Sequence, residues 1–159
     1  MVCNSSPLIH LARIGELELL RDIFGEVLVP KAVYRECVIE GGDRDDARKI
    51  KTASWIRITG IKNIELKKAL NTSLDEGESE AIVLALEEKA DLILLDDYDA
   101  REFARIYGLK ITGIIGILLK AKYTGRISSL SEILENLKET GFWLNEDLRS
   151  QILRDAGES

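Results

Sequence analysis

An α/β fold, with a parallel sheet covered by helices on both faces, is the class this sequence predicts. Three observations point there. Short apolar runs such as Val27-Leu28-Val29 and Leu92-Ile93-Leu94-Leu95 recur between longer stretches of helical spacing, the alternation expected of βαβ units. The runs are continuously apolar, as strands buried on both faces are. The second run ends in Asp96-Asp97, delivering charge to the rim where open α/β sheets hold their ligands.

The elements follow in order. Met1-Val2-Cys3 is too short to assign as a strand by itself. Ser6-Pro7 reads as an N-cap with proline at the first helical position; Leu8, Leu11 and Ala12 form one apolar face, and Gly15 ends the turn. A second helix from about Glu16 to Phe24 stops at Gly25, before the strand Val27-Leu28-Val29. Pro30 opens a helix with Ala32, Val33, Cys37 and Val38 inward and Glu36 in its middle, closed by Gly41-Gly42. A polar helix over Asp43 to Ala53 precedes a strand at Trp55-Ile56-Arg57-Ile58, and Ile64 to Leu70 is a weaker helical piece.

From Asp75 the pattern sharpens. A helix carrying Ala81, Ile82, Leu84, Ala85 and Leu86 leads to the strand Leu92 to Leu95, then a helix near Ala100 to Tyr107, a stop at Gly108, a strand Lys110-Ile111-Thr112 and an apolar helix Ile114 to Tyr123. Two helices end the chain. Ser129 with Glu132 suggests a capping box, Asn145 caps the last helix with its Leu148, Ile152 and Leu153, and Trp143 between them is expected to pack the pair onto the body. Residues 1–126 are thus read as the α/β body and 127–159 as a helical pair packed on it.

The 159 residues fit one domain, large enough to bury roughly two-thirds of its unfolded surface. Hydrophobic residues at 45% and charged residues at 31% describe an ordinary globular chain. The first 25 residues lack a secretory layout, no run reaches membrane-span length, and Cys3 and Cys37 stand too far apart for a metal knuckle. A cytoplasmic chain with two reduced, buried thiols is the expectation. The net charge of −6 argues against a large nucleic-acid surface, yet from Ala100 to Arg126 the residues Arg101, Arg105, Lys110, Lys120, Lys122 and Arg126 face only Glu102. A basic wall beside an acidic pocket suits phosphodiester chemistry at metals.

Oxygen donors fall at four places: Asn4 after the first strand, Glu36, the pair Glu78/Glu80 and the pair Asp96/Asp97. In a parallel sheet Asn4 and Asp97 share a rim. Hard cations such as Mg²⁺ or Mn²⁺ take carboxylate and water ligands and need few protein groups. Adjacent strand residues point opposite ways, so Asp97 is preferred as the direct ligand, with Asp96 capping a helix or supporting it. One of Glu78 and Glu80 is expected to coordinate, and Glu80 is preferred because it directly precedes the apolar stripe. Glu36, Glu80 and Asp97 are therefore the expected catalytic acids. The hydroxyls of Ser5 and Ser6 are placed to orient a ligand or phosphate, and Arg101, Arg105, Lys120 and Lys122 to hold nucleic acid. His10, the only histidine, is read as structural, and no partner for Ser-His or Cys-His catalysis is evident.

In the order Asn4-Ser5-Ser6-Pro7-Leu8-Ile9, Val29-Pro30 leading to Tyr34-Arg35-Glu36, Gly77-Glu78-Ser79-Glu80-Ala81-Ile82, and Leu95-Asp96-Asp97 followed by Ala100-Arg101, the chain resembles the PIN domain (PilT N-terminus) family. Gly113 to Lys122 and the tail from Leu130 to Gly157 resemble its predicted nucleic-acid-binding, PIN-like branch. The resemblance implies a three-layer α/β/α sandwich with a central parallel sheet of four or five strands, here with two added C-terminal helices. It further implies homodimers and Mg²⁺- or Mn²⁺-dependent ribonuclease activity on RNA, and many relatives are VapC-type toxins held inactive by an antitoxin. Its four acids fall on Asn4, Glu36, Glu80 or Glu78, and Asp97 or Asp96. Asn4 departs from the pattern, since the typical member has Asp there; an amide oxygen coordinates a hard cation without adding charge.

Overall fold

Strand parity sorts this chain into layers. In the computed structural model, which describes residues 1–158, five parallel strands form one sheet: β1 (Val2–Cys3), β2 (Val27–Pro30), β3 (Ile56–Thr59), β4 (Ile93–Leu94) and β5 (Ile111–Thr112), in the order β3-β2-β1-β4-β5. Successive side chains point to opposite faces. Val2, Ile93 and Leu95 accordingly enter one hydrophobic cluster, and Cys3, Leu94, Val27 and Val29 the other.

Helices cover both faces, completing the three-layer sandwich. The first cluster lies under α5 (Ile64–Leu70), α6 (Glu76–Glu87) and α7 (Tyr98–Ile106), through Leu70, Ala81 to Ala85, Ala100 and Ala104. The second is built from α1 (Ser5–Arg13), α2 (Glu18–Phe24), α3 (Lys31–Tyr34), α4 (Asp45–Thr52) and α8 (Ile114–Tyr123). The tail helices α9 (Leu130–Glu139) and α10 (Glu146–Asp155) join that same cluster through Leu130, Ile133, Leu134, Leu137 and Ile152. Among the described residues no helix is long and apolar enough to cross a membrane.

Two elements and one aromatic differ from what the sequence suggested. The first helix starts earlier, with Asn4 rather than Ser6 as its extended N-cap; Pro7 falls inside the first turn, where its missing N–H leaves no bond unmade. The helix after Pro30 is broken. It runs as α3 and then widens into a π turn over Arg35–Ile39, closed by the Glu40 amide donating to the Arg35 carbonyl at 2.9 Å, and single π turns of this kind recur at functional sites. Trp143 does not pack the tail, being 80% exposed. Its neighbour Phe142 does so instead, edge-on to the His10 ring at 5.5 Å between centroids.

Candidate metal centre

The sheet order reverses at β1. The chain runs outward through β2 and β3, returns, and continues on the other side of β1 through β4 and β5. A crevice at the carboxyl ends of β1 and β4 is therefore the expected ligand position. Asn4 leaves β1 and Asp97 lies just beyond β4, and the Asn4 amide donates to the Leu94 carbonyl at 3.1 Å.

A cavity of about 470 Å³ opens at that point, with Asn4, Ser5, Glu36, Asp75, Glu78 and Asp97 among its lining residues. Three helix starts meet there. Asn4 is the N-cap of α1, Asp75 that of α6 and Asp97 that of α7, so the positive ends of three helix dipoles face the acids. Caps also aim the carboxylates. Asp75 Oδ1 accepts from the Glu78 amide at 2.8 Å while Glu78 Oε1 accepts from the Asp75 amide at 3.1 Å, a reciprocal capping box. Asp97 Oδ2 accepts from the Ala100 amide at 3.0 Å. Glu78 and Asp97 thus each spend one oxygen on a helix start, and neither Glu78 Oε2 nor Asp97 Oδ1 hydrogen-bonds among the described residues.

Glu36 reaches the cavity from the π turn. Ser5 Oγ donates to its Oε2 at 2.5 Å. A Cβ placed on Gly77 would stand 2.6 Å from Glu36 Oε1, so the glycine in Glu76-Gly77-Glu78 is what lets this carboxylate lie against the start of α6. Asn4 completes the set. It is 5% exposed, and its Oδ1 is buried without a partner among the described residues.

Burial raises two of these acids above their ordinary values. Burial pushes Glu78 up to about 7, with the charges of Asp75, Asp97 and Glu36 adding to it against the Asp75 hydrogen bond. Burial likewise raises Glu36, offset in part by the Ser5 hydroxyl. His10, on the same cavity, is lowered from its ordinary value by burial and by Arg13.

The remaining residues singled out from the sequence lie elsewhere. Glu80 is outside the cavity: its Oε1 accepts from the Ala32 amide at 3.0 Å and its Oε2 pairs with Lys67 Nζ at 2.5 Å. Asp96 turns to the other side of the sheet and accepts from the Ile114 amide at 3.1 Å, capping α8, and Gly113 leaves room for it, since a Cβ there would stand 2.6 Å from Asp96 Oδ1. The expected basic wall is dispersed. Arg105 pairs with Glu102, and Arg101 keeps a buried Nε without a hydrogen bond. Lys120 and Lys122 line a separate cavity of about 550 Å³ beside Tyr123, with Lys122 held by Glu158 at 3.0 Å. The cation that lines the acid cavity is Arg13, and beside it lies His10, so the expectation of a purely structural histidine does not cover its position. Their signal was in the sequence as Ser6, Ile9, His10 and Arg13, spaced as one stripe of a helix.

These donors fit a hard divalent cation better than a soft one, being amide and carboxylate oxygens with no thiol in reach. Cys3 and Cys37 are buried in the core as free thiols, Cys37 pushed up to about 12 by burial. Among the described residues no three His, Cys, Asp or Glu side chains close into a ready-made cage. An ion that keeps most of its water and takes one or two carboxylates, as Mg²⁺ does, is the kind this arrangement suits. The unpartnered Asn4 Oδ1 is the observation that favours a ligand here, because a buried acceptor left unpaired is costly.

A family model described as DUF3368, PIN domain, matches residues 1–158. No curated protein matches the chain. By that match along almost its whole length, the chain belongs to the PIN-domain family.

Proposed function

We propose that this protein is a metal-dependent endoribonuclease, with Asn4, Glu36, Glu78 and Asp97 surrounding a Mg²⁺ or Mn²⁺ ion that keeps most of its water and takes one or two of the carboxylates directly. What carries the proposal is Asn4 Oδ1, a buried acceptor without a partner on a residue that lines the cavity together with three of those carboxylates. A divalent cation there supplies Lewis-acid chemistry, offsetting charge on the phosphoryl group and acidifying water. The chain's own residues do the rest. Glu36, Glu78 and Asp97 supply the negative charge that holds the ion; Ser5 fixes the Glu36 carboxylate; the caps of α6 and α7 fix the other two. Glu80 and Asp96 are supports, anchoring α3 and α8.

Incubation of the pure protein with single-stranded and structured RNA and Mn²⁺ tests this. Cleavage by the wild type and its loss in Asp97→Asn is the expected result; equal cleavage by both removes the assignment. We further infer a VapC-like toxin, a cytoplasmic homodimer held by an antitoxin. Ile106, 76% exposed, and the exposed Tyr107 beside it leave an apolar pair in water at the end of α7, of the kind that partner surfaces use.

A second role has one specific observation behind it. Asn4 stands where the family resemblance puts an acid, so its site lacks one negative charge, as a nucleic-acid-binding protein of weakened catalysis would. RNA binding indifferent to chelator, with metal affinity gained in Asn4→Asp, would select that role.

A further inference from the structure

The acid cavity poses an electrostatic problem for any nucleic acid. Glu36, Asp75, Glu78 and Asp97 all line it, and a phosphate backbone approaching four carboxylates is repelled unless a cation on the same wall receives it. The basic segment from Arg101 to Lys122 does not answer this, since none of its cations is among the residues that line the cavity, Arg105 being paired with Glu102 and Lys120 and Lys122 facing another one. One face of α1 does. Ser6, Ile9, His10 and Arg13 lie at i, i+3, i+4 and i+7, a single helical stripe, and all four line the cavity.

We propose that this stripe is the substrate-holding wall of the site, Arg13 taking a backbone phosphate and His10 accepting a hydrogen bond from the adjoining ribose 2′-hydroxyl of RNA. The assignment rests on the nuclease proposed above.

Arg13 is available for that work. Its one ion pair is with Asp46 at 3.9 Å, and Asp46 has a closer cation in Arg44 at 3.5 Å. Moving the Arg13 guanidinium to a phosphate therefore does not strand the buried Asp46, and its planar fork matches two phosphate oxygens at once.

His10 is held with one defined nitrogen outward. Thr140 has a single hydroxyl proton, and Thr140 Oγ1 lies 2.6 Å from the Leu137 carbonyl, which accepts it. The contact of 2.7 Å between His10 Nδ1 and Thr140 Oγ1 must then be donated by the ring, an assignment made from the hydrogen-bond network. In the neutral imidazole that leaves Nε2 as a bare acceptor, and it makes no hydrogen bond among the described residues. Phe142, edge-on to the ring at 5.5 Å, fixes its plane. A fixed acceptor placed against the sugar beside a phosphate-binding cation distinguishes RNA from DNA, because deoxyribose has no 2′-hydroxyl to donate to it.

The test is binding of a fluorescent oligoribonucleotide and of its deoxy counterpart, measured by anisotropy with and without Mn²⁺ over a range of salt, alongside cleavage by the same proteins. Arg13→Gln, which keeps the stem packed, should weaken both oligonucleotides about tenfold and lower the salt slope by about one, with Arg13→Lys recovering part of the loss. His10→Phe should weaken the ribonucleotide alone, by about fivefold, the size of one hydrogen bond. Folded variants that bind both strands as the wild type does overturn the wall, while loss of cleavage in Asp97→Asn keeps the nuclease standing. Equal weakening of RNA and DNA by His10→Phe overturns the hydroxyl contact. A wild type that binds neither strand overturns both, and cleavage unchanged in Asp97→Asn beside weakened binding in Arg13→Gln removes the nuclease and keeps the wall.

Discussion

Lys67 Nζ lies 2.5 Å from Glu80 Oε2, and that contact separates two acids that stand two residues apart on α6. Residues i and i+2 on a helix point about 200° apart, at 3.6 residues per turn. Glu78 therefore faces the cavity at the rim of the sheet, while Glu80, 6% exposed, is buried between Lys67 and the Ala32 amide. The hydrogen bond from Lys67 also raises that ammonium above its ordinary value.

Removing one member of this partly buried pair should be felt in stability rather than in metal binding. Lys67→Met leaves Glu80 with a single hydrogen bond, and loss of about 2–4 kcal/mol in chemical denaturation is expected, with Mn²⁺ affinity unchanged. A Lys67→Met protein of wild-type stability contradicts the pairing.

Gly77→Ala should do the reverse. Alanine is about 1 kcal/mol better than glycine inside a helix, but its methyl would stand 2.6 Å from Glu36 Oε1. The flexible end of Glu36 must move, so Mn²⁺ affinity should fall several-fold while the melting temperature holds or rises. A variant that binds Mn²⁺ as the wild type does would place Glu36 outside the site.

Glu78 sets a pH dependence in the metal-free protein. Its folded value of about 7 lies above the ordinary 4.5, so between those values the folded state binds more protons than the unfolded one. Stability from this group is then fully present below about pH 4.5 and is lost as pH rises through about 7. Metal needs the ionised carboxylate, so Mn²⁺ affinity should climb with pH, by up to about tenfold per unit below about pH 7. Urea denaturation and Mn²⁺ titration at about pH 5 and about pH 8 check both signs.

The thiols should be inert in the native protein. Burial raises both Cys3 and Cys37, the latter to about 12, and the thiolate is the reactive form. Alkylation by iodoacetamide should be negligible until denaturant is added. Rapid labelling of either cysteine in native buffer contradicts this packing.

How much of this was legible follows from the range of the interactions involved. The sheet was readable because continuously apolar runs and glycine stops are local signals, and α8 lies over the residues the apolar pattern marked, Ile114–Tyr123. Strand parity, a property of adjacent residues, said that Asp96 and Asp97 point opposite ways, and in the structure Asp97 lines the cavity while Asp96 accepts from the Ile114 amide at the start of α8. Glu78 and Glu80 were not separable. Parity said that one of them faces the site, but the choice turns on Lys67, brought up by α5 and invisible as a partner in one dimension. The same holds for Arg13 and His10. Their helical stripe is in the sequence, but that it faces the acids depends on how α1 leaves β1 beside β4. The sequence pointed to Trp143, and it is the packing against His10 that favours the adjacent Phe142 instead.

Calorimetric titration with Mn²⁺ of the wild type, Glu78→Gln, Asp97→Asn and Glu80→Gln tests the site most directly. Glutamine preserves the capping box of α6 and asparagine the N-cap of α7, so the first two variants remove charge without unmaking a helix start. One site in the wild type is expected, weakened about tenfold or more in Glu78→Gln and Asp97→Asn and kept in Glu80→Gln. Wild-type affinity in both Glu78→Gln and Asp97→Asn, or its loss in Glu80→Gln alone, would contradict the account.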